Sequence, residues 1–372
     1  MSKTINVFFF PSHGTVDRVS GVDFARVIQP GKLLDGFEYK GYTFKTRIYD
    51  PKEDEQSVER FDWIKVAQEY DLTFFNYTAL PWAFAAMGAF NRKYGRKMIM
   101  DLDDSLWDIN KDNPAYKAYY PGSQGIKDFN AICTEVDAMT TTSSFLKNVI
   151  THNTIKRHEQ IKVIPNYIDL NLYKHRSPFK NTGQIQLLHF GSTTHFLDLE
   201  NEEYSKGIDM IMREYPNVTL KTVGALLPKY KWRWSQRYIN DYGHQDVLHW
   251  IQDEDKFSKF MDECDIMTVP LTYNTYNKAK SSIKFIEASS AGKPGVWERI
   301  RQYEEVIEDG KNGFLARTSS EWYTAIKTLI DDVELRKSMG QAAFKTVEDG
   351  WQIQNHLGEY AQLILDVLGK EV

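Results

Sequence analysis

Along the first half of the chain, short runs rich in β-branched and aromatic residues alternate with longer stretches whose apolar side chains recur at helical spacing. That alternation predicts βαβ units feeding a parallel sheet. Strands are expected at Ile5–Phe10, Leu72–Asn76, Lys97–Leu102, Ala138–Thr141 and Ile161–Ile164. Helices are expected at Val22–Leu34, Val58–Tyr70, Pro81–Tyr94 and Ser143–Thr151, the last with a serine at its N-cap. The segment Lys174–Gln184 (KHRSPFKNTGQ) is polar, holds Pro178 and Gly183 and has no period, which predicts a linker. After it a second α/β run predicts strands at Ile185–Phe190, Thr219–Val223, Val247–Trp250, Ile266–Pro270, Gly295–Trp297 and Gly313–Ala316. From Glu321 the chain reads as helical. It ends in Trp351–Leu368, where Ile353, Leu357, Tyr360, Ala361, Ile364 and Leu368 keep a 3.6-residue spacing.

Composition narrows the class. A chain of 372 residues fits two domains of ordinary size, and 42% hydrophobic with 26% charged residues excludes a disordered or collagen-like protein. The longest apolar runs, such as Ile5–Phe10, fall far short of the ~20 residues that cross a bilayer. The N-terminus enters a strand-like run without the pattern of a signal peptide, so a cytoplasmic location is expected. Cys133 and Cys264 stand far apart in apolar surroundings and predict core packing rather than metal or redox chemistry. The net charge of −5 is uneven: residues 1–180 carry 24 Lys+Arg against 22 Asp+Glu. Seven cations gather between Ser143 and Lys180, where a polyanion site competes with plain solvated surface.

In open parallel sheets, ligands bind beyond the carboxyl ends of the strands, so the loops there are the candidate sites. Pro11–Gly21 (PSHGTVDRVSG) follows the first strand and leads into a helix bearing Arg26; His13, Gly14, Arg18 and Arg26 are candidates for contact with an acceptor, and Asp17 for a general base. The run DLDDSLWDI puts Asp101, Asp103, Asp104 and Asp108 at a strand end, where clustered carboxylates suit a cation, a sugar hydroxyl or water. Asp101 and Asp103 are the catalytic candidates, and magnesium on Asp-x-Asp is the alternative. The run LLHFGSTTHFLDLE offers Gly191, Ser192, Thr194 and His195 to phosphate or sugar oxygens. In VPLTYNTYNKAKSSIKFIEASSAGKPGV, Ser281 and Ser282 lie where a helix should start, with Lys280, Lys284 and Glu287 expected on one face. Such a start can receive phosphate oxygens, and a carboxylate one turn on can accept from both hydroxyls of a ribose.

In their order, these motifs resemble the nucleotide-sugar glycosyltransferases of family four (group 1). The resemblance runs through the first-strand glycine loop, VIPNYIDL at Val163–Leu170, GSTTH, and KSSIKFIEASSAGKP. It implies the GT-B fold: two facing Rossmann-like domains, here 1–175 for the acceptor and 185–350 for the nucleotide sugar, with 351–372 crossing back as a helix onto the first. It also implies a nucleoside diphosphate sugar donor, UDP-type first, with the Glu287 carboxylate on the ribose, Ser281 and Ser282 facing the diphosphate, retention of anomeric configuration and no required metal. The sequence departs from the family pattern in two places. Ala279 stands where a second acidic residue is usual, and the aspartates of DLDDSLWD stand where many relatives have a histidine.

The acceptor is least legible. KYKWRWSQRYIN at Lys229–Asn240 alternates cations and rings, so Lys229, Lys231 and Arg233 are candidates for meeting a nucleic-acid backbone. On that ground a hydroxymethylated DNA base is the favoured acceptor, as in bacteriophage DNA glycosyltransferases, which would act in the host cytoplasm. The alternatives are an envelope glycan, a lipid or a protein as acceptor, a nucleotide-sugar epimerase of the same fold, or a non-catalytic binding module. The oligomeric state is left open.

Overall fold

The computed structural model describes residues 2–11, 21–50, 61–77, 81–113, 115–177, 183–191, 196–199, 201–223, 246–247 and 254–370. These form two α/β lobes. The first holds a seven-stranded sheet made of β1 (Lys3–Phe10), β2 (Glu38–Tyr39), β3 (Tyr42–Ile48), β4 (Leu72–Asn76), β5 (Lys97–Leu102), β6 (Ala138–Thr141) and β7 (Ile161–Val163), in the order β2-β3-β1-β4-β5-β6-β7. All its pairings are parallel except β2 with β3. The second holds β8 (Ile185–Phe190), β9 (Val218–Val223), β10 (Asp246–Val247), β11 (Ile266–Val269), β12 (Gly295–Glu298) and β13 (Phe314–Ala316), parallel throughout, in the order β10-β9-β8-β11-β12-β13. The strand order turns about β1 in one sheet and β8 in the other, so ligand crevices are expected beyond their carboxyl ends.

Burial on both faces of the sheet explains why β1 is apolar without a break from Val7 to Phe10. Phe8 and Phe10 join Phe75, Met98 and Met100 on one side, while Val7 and Phe9 join Phe74, Ile99 and Val27 on the other. The second side is completed from the far end of the sequence. Tyr360, Ala361 and Ile364 of the helix Leu357–Val367 sit in that same cluster, so the chain does cross back onto the first lobe. Two strands of chain therefore run between the lobes, and they are tied together: Ile168 donates its N–H to the Trp351 carbonyl at 2.9 Å and accepts from Ile353 at 3.0 Å. Beside that tie Tyr167 stacks on His356 with ring centroids 3.8 Å apart and donates to both oxygens of Glu359 at 3.1 Å.

In the second lobe the helices Glu202–Glu214 and Ser319–Asp331 meet at a glycine. A Cβ on Gly207 would lie 2.7 Å from that of Trp322, so only glycine allows this approach. Cys133 and Cys264 are free and buried, as core packing requires.

Several elements differ from the expectation. The stretch from Gly21 to Leu34 is helical but passes through a π-helical turn, Phe24–Ile28, which carries Arg26. The helix expected from Val58 is described over Trp63–Glu69, capped by the Asp62 side chain on the Lys65 N–H. The β2–β3 hairpin and the helix Gln124–Glu135 are additional. Of the expected linker, Lys174–Ser177 is fastened to the second lobe by the His175 N–H on Ser258 Oγ and the Ser177 N–H on Asp262. No helix of the described residues is long and apolar enough to cross a membrane.

Candidate functional site

At the carboxyl end of β5, Asp101 sits opposite Asn76 of β4 and Thr140 of β6. It is fully buried and its charge is met on the spot. Arg26 donates Nη2 to Asp101 Oδ1 at 2.6 Å and Nε to both oxygens at 3.1 and 3.2 Å, while Thr140 Oγ1 donates to Oδ1 at 2.6 Å. Arg26 is spent on the interior as well, for its Nη1 donates to the carbonyls of Ile164 (2.7 Å) and Pro165 (3.0 Å) and to Asn166 Oδ1 (3.1 Å). Against the lowering effect of burial, the Asp101 carboxylate holds the guanidinium pKa above its ordinary value. Arg26, expected to meet an acceptor, thus has its donors committed inside the first lobe, because an ion pair this deep persists only when every donor is satisfied. Both oxygens of Asp101 are engaged by Arg26, and Oδ1 by Thr140 as well.

The next two carboxylates behave differently. Burial, with the charges of Asp104 and Asp101 added, pushes Asp103 well above the usual carboxylate range. Asp104 reaches the other lobe: Lys280 Nζ lies 2.9 Å from each of its oxygens, and Tyr276 Oη donates to it at 2.9 Å. Burial works to lower the pKa of Lys280 and the Asp104 charge overcomes it, so the ammonium is held above its ordinary value. With Asp101 filled by Arg26 and Thr140, and Asp104 by Lys280 and Tyr276, this donor set does not suit magnesium. Among the described residues no group of three or more His, Cys, Asp and Glu side chains is placed to hold a metal ion.

On the second lobe the helix Ile283–Ser290 begins after Ser282. Lys280 precedes it in an extended conformation at the end of the short helix Thr275–Ala279. Lys280 therefore does not share a helix face with Lys284 and Glu287 as the spacing suggested; it turns toward Asp104. Arg301 closes the preceding turn by donating to the carbonyls of Lys278 at 3.0 Å and Lys280 at 3.2 Å. Lys284, in the first turn, is 8% exposed, and among the described residues no atom accepts a hydrogen bond from its Nζ. Burial pulls its pKa down from 10.5 to about 8, although Asp198 works in the other direction. Glu287, on the next turn, is pushed up to about 8 by burial in spite of Lys284 and the Tyr173 hydroxyl.

Asp198 organises this end. One of its oxygens accepts from the Thr272 N–H and from Asn277 Nδ2, both at 2.8 Å, tying the segment after β8 to the segment after β11. The cleft side is closed by Ser281 Oγ, which accepts from Asn166 Nδ2 of the first lobe at 2.7 Å, and by Ser143 Oγ, which donates to the Ala279 carbonyl at 3.3 Å. Gly191 stands half-buried at the end of β8. His13, Gly14, Asp17 and Arg18, then Ser192, Thr194 and His195, and also Lys229, Lys231 and Arg233, lie outside the described residues.

The described part of this arrangement is a helix start with a buried ammonium that faces the Phe190 ring, 5.8 Å to its centroid, and has no described hydrogen-bond acceptor, followed one turn on by a half-buried carboxylate. Residues 199–332 match the family model for glycosyl transferases group 1. That segment covers β9 to β13 and the helix bearing Lys284 and Glu287, so the likeness to group 1 glycosyl transferases falls on the second lobe. Among curated proteins the chain is 20% identical over 239 residues to N-acetyl-alpha-D-glucosaminyl L-malate synthase of Bacillus anthracis, covering 62% of this chain and 60% of that protein. Among solved structures it is similar to Anabaena HepE in complex with UDP-glucose, with TM-score 0.68, 16% identity and coverage of 97% and 99%. Sucrose-phosphate synthase from Thermosynechococcus elongatus is comparable, with TM-score 0.67, 14% identity and 99% of each chain covered. These structures share the two-lobed GT-B fold with this chain.

Asn166, Tyr276 and Asp198 were given no role from sequence, and Asp104 only as a member of the acidic run. Asn166 lies within VIPNYIDL and Asp198 within LLHFGSTTHFLDLE, two segments singled out for other residues, whereas the pairing of Asp104 with Tyr276 across the cleft left no local signal.

Proposed function

We propose that the protein is a glycosyltransferase that moves a sugar from a nucleoside diphosphate sugar to an acceptor hydroxyl. The observation that carries this reading is Lys284: an ammonium buried at a helix start with no described hydrogen-bond acceptor, one turn from the half-buried Glu287 carboxylate. A diphosphate supplies the missing acceptors where helix N–H groups also point, and a ribose diol supplies two donors to Glu287. UDP is the first nucleotide to test, because it is the nucleotide in the HepE complexes. Retention fits the acidic strand end better than inversion does. Inversion needs an ionised, unengaged general base; of the strand-end carboxylates, Asp101 and Asp104 are engaged by cations, Asp103 is held toward its protonated form and Asp108 accepts from Ser105 Oγ, while Asp17 lies outside the described residues.

No described residue speaks for a hydroxymethylated DNA base, since that preference rests on 229–240 alone. The test is release of free nucleoside diphosphate from UDP-glucose and UDP-N-acetylglucosamine, with hydroxymethylated DNA, L-malate, inositol phosphate and oligosaccharides offered as acceptors. Acceptor-dependent release supports the proposal and names the acceptor class. Donor binding with no turnover on any acceptor points to a binding module, and sugar interconversion without acceptor points to an epimerase.

A further inference from the structure

We propose that Asn166 makes Ser281 an obligate hydrogen-bond donor to an anionic oxygen of the diphosphate, and that Arg26 and Asp101 are the positioning residues that hold Asn166 in that sense. This rests on the glycosyltransferase reading above. A carboxamide can present either its oxygen or its NH₂ to a neighbour, and only its other partner decides which. Here the other partner is a guanidinium, which can only donate. Arg26 Nη1 points at Asn166 Oδ1 from 3.1 Å, so the atom facing Ser281 Oγ at 2.7 Å is the NH₂. Arg26 cannot swing away, because Asp101 grips its Nε and Nη2 and two backbone carbonyls hold its Nη1.

The consequence falls on the serine. Its oxygen accepts from Asn166 Nδ2 and from the Ile283 N–H at 3.3 Å, which uses both lone pairs. What remains is the O–H, and whatever it meets must be an acceptor. Among the described residues none accepts from it. Within the same turn Lys284 Nζ is a second donor with no described acceptor. Two unanswered donors, one neutral and one cationic, at a helix start call for a ligand with several anionic oxygens and no proton to give, which is the chemistry of a diphosphate. Asn166 belongs to the first lobe and Ser281 to the second, so this donor is set only while the lobes are together. The grip on the diphosphate and the closure of the cleft are the same event.

Calorimetric titration of the full chain with UDP, GDP and ADP tests this, the tightest of the three being carried forward together with its nucleoside. Ser281→Ala is expected to weaken diphosphate binding about tenfold or more, the effect of losing a hydrogen bond to a charged group. Asn166→Ala is expected to weaken it about three- to tenfold, since the hydroxyl is then free to turn. The double variant should bind no more weakly than Ser281→Ala, and nucleoside binding should be unchanged throughout. Asn166→Asp, which keeps the shape and the Arg26 contact but can only accept, should cost more with Ser281 present than in the Ser281→Ala background. Parent-like diphosphate binding by Asn166→Ala, multiplicative losses in the double variant, or equal losses for the nucleoside would overturn the inference and leave the proposed function standing. A parent chain that binds none of the three diphosphates would overturn both.

Discussion

Lys280 Nζ stands 2.9 Å from both oxygens of Asp104, so an ammonium of the second lobe and a carboxylate of the first meet across the cleft, with the Tyr276 hydroxyl on the same carboxylate. On the proposed function, a diphosphate at the neighbouring helix start would compete with Asp104 for that ammonium. Lys280→Ala should therefore weaken UDP binding about tenfold, and Asp104→Ala should strengthen it, as charge-assisted contacts are worth about 1.5 to 3 kcal/mol. Titration decides: if both variants move in the same direction, Lys280 serves the contact between lobes and not the ligand.

Lys284 carries a stability cost. Its folded pKa of about 8 lies below the unfolded 10.5, so the unfolded chain binds more protons between those values and stability rises with pH across that window. Below pH 8 the penalty is complete, about 3 kcal/mol from the size of that drop. Lys284→Met should raise the melting temperature at pH 7, gain little by pH 10.5, and lose UDP affinity by about tenfold or more. A variant less stable than the parent at pH 7 would contradict the buried, unanswered cation.

Glu287 has the opposite sign. Its pKa rises from 4.5 to about 8 on folding, so the folded chain binds more protons in that interval and stability falls as pH rises through it. Diphosphate binding wants Lys284 protonated and ribose binding wants Glu287 ionised, which together place the best UDP affinity near pH 8. Glu287→Gln should remove the fall in affinity between pH 8 and about 7, above the range where the terminal phosphate of UDP itself takes a proton, and lower affinity overall. A parent profile flat from pH 6 to 10 would separate these two residues from the nucleotide.

The Arg26–Asp101 pair is buried with its hydrogen bonds filled, so removing one partner strands the other charge. Arg26→Met and Asp101→Asn should each cost about 3 to 5 kcal/mol in denaturant unfolding. A loss of turnover with stability unchanged would instead return Asp101 to the chemistry.

Legibility followed burial. The strands Leu72–Asn76, Lys97–Leu102, Ala138–Thr141 and Ile185–Phe190 coincide with their sequence runs because central parallel strands are apolar on both faces. The stretch Tyr42–Ile48 was passed over because it lies nearer the sheet edge, half exposed, with Lys45 and Arg47 breaking the run. The helix Gln124–Glu135 hides for a similar reason: only Ile126, Phe129, Ile132 and Cys133 face the core, and polar residues fill the rest. In the site, the serines before Ile283 and the one-turn spacing of Lys284 and Glu287 were readable, since helix starts and turn spacing are local. Arg26 was misread because its partner is 75 positions away, and a sequence shows a cation without showing what answers it.

The tie between Ile168 and the Trp351–Ile353 turn limits how the molecule can open. Two chain segments cross between the lobes side by side and are hydrogen-bonded to each other. A single tether would let one lobe swivel and tilt freely, whereas a paired tether resists twisting and leaves one easy axis, like a leaf on two pins. The second lobe then returns to the first along one track, and Ser281 meets Asn166 in register each time.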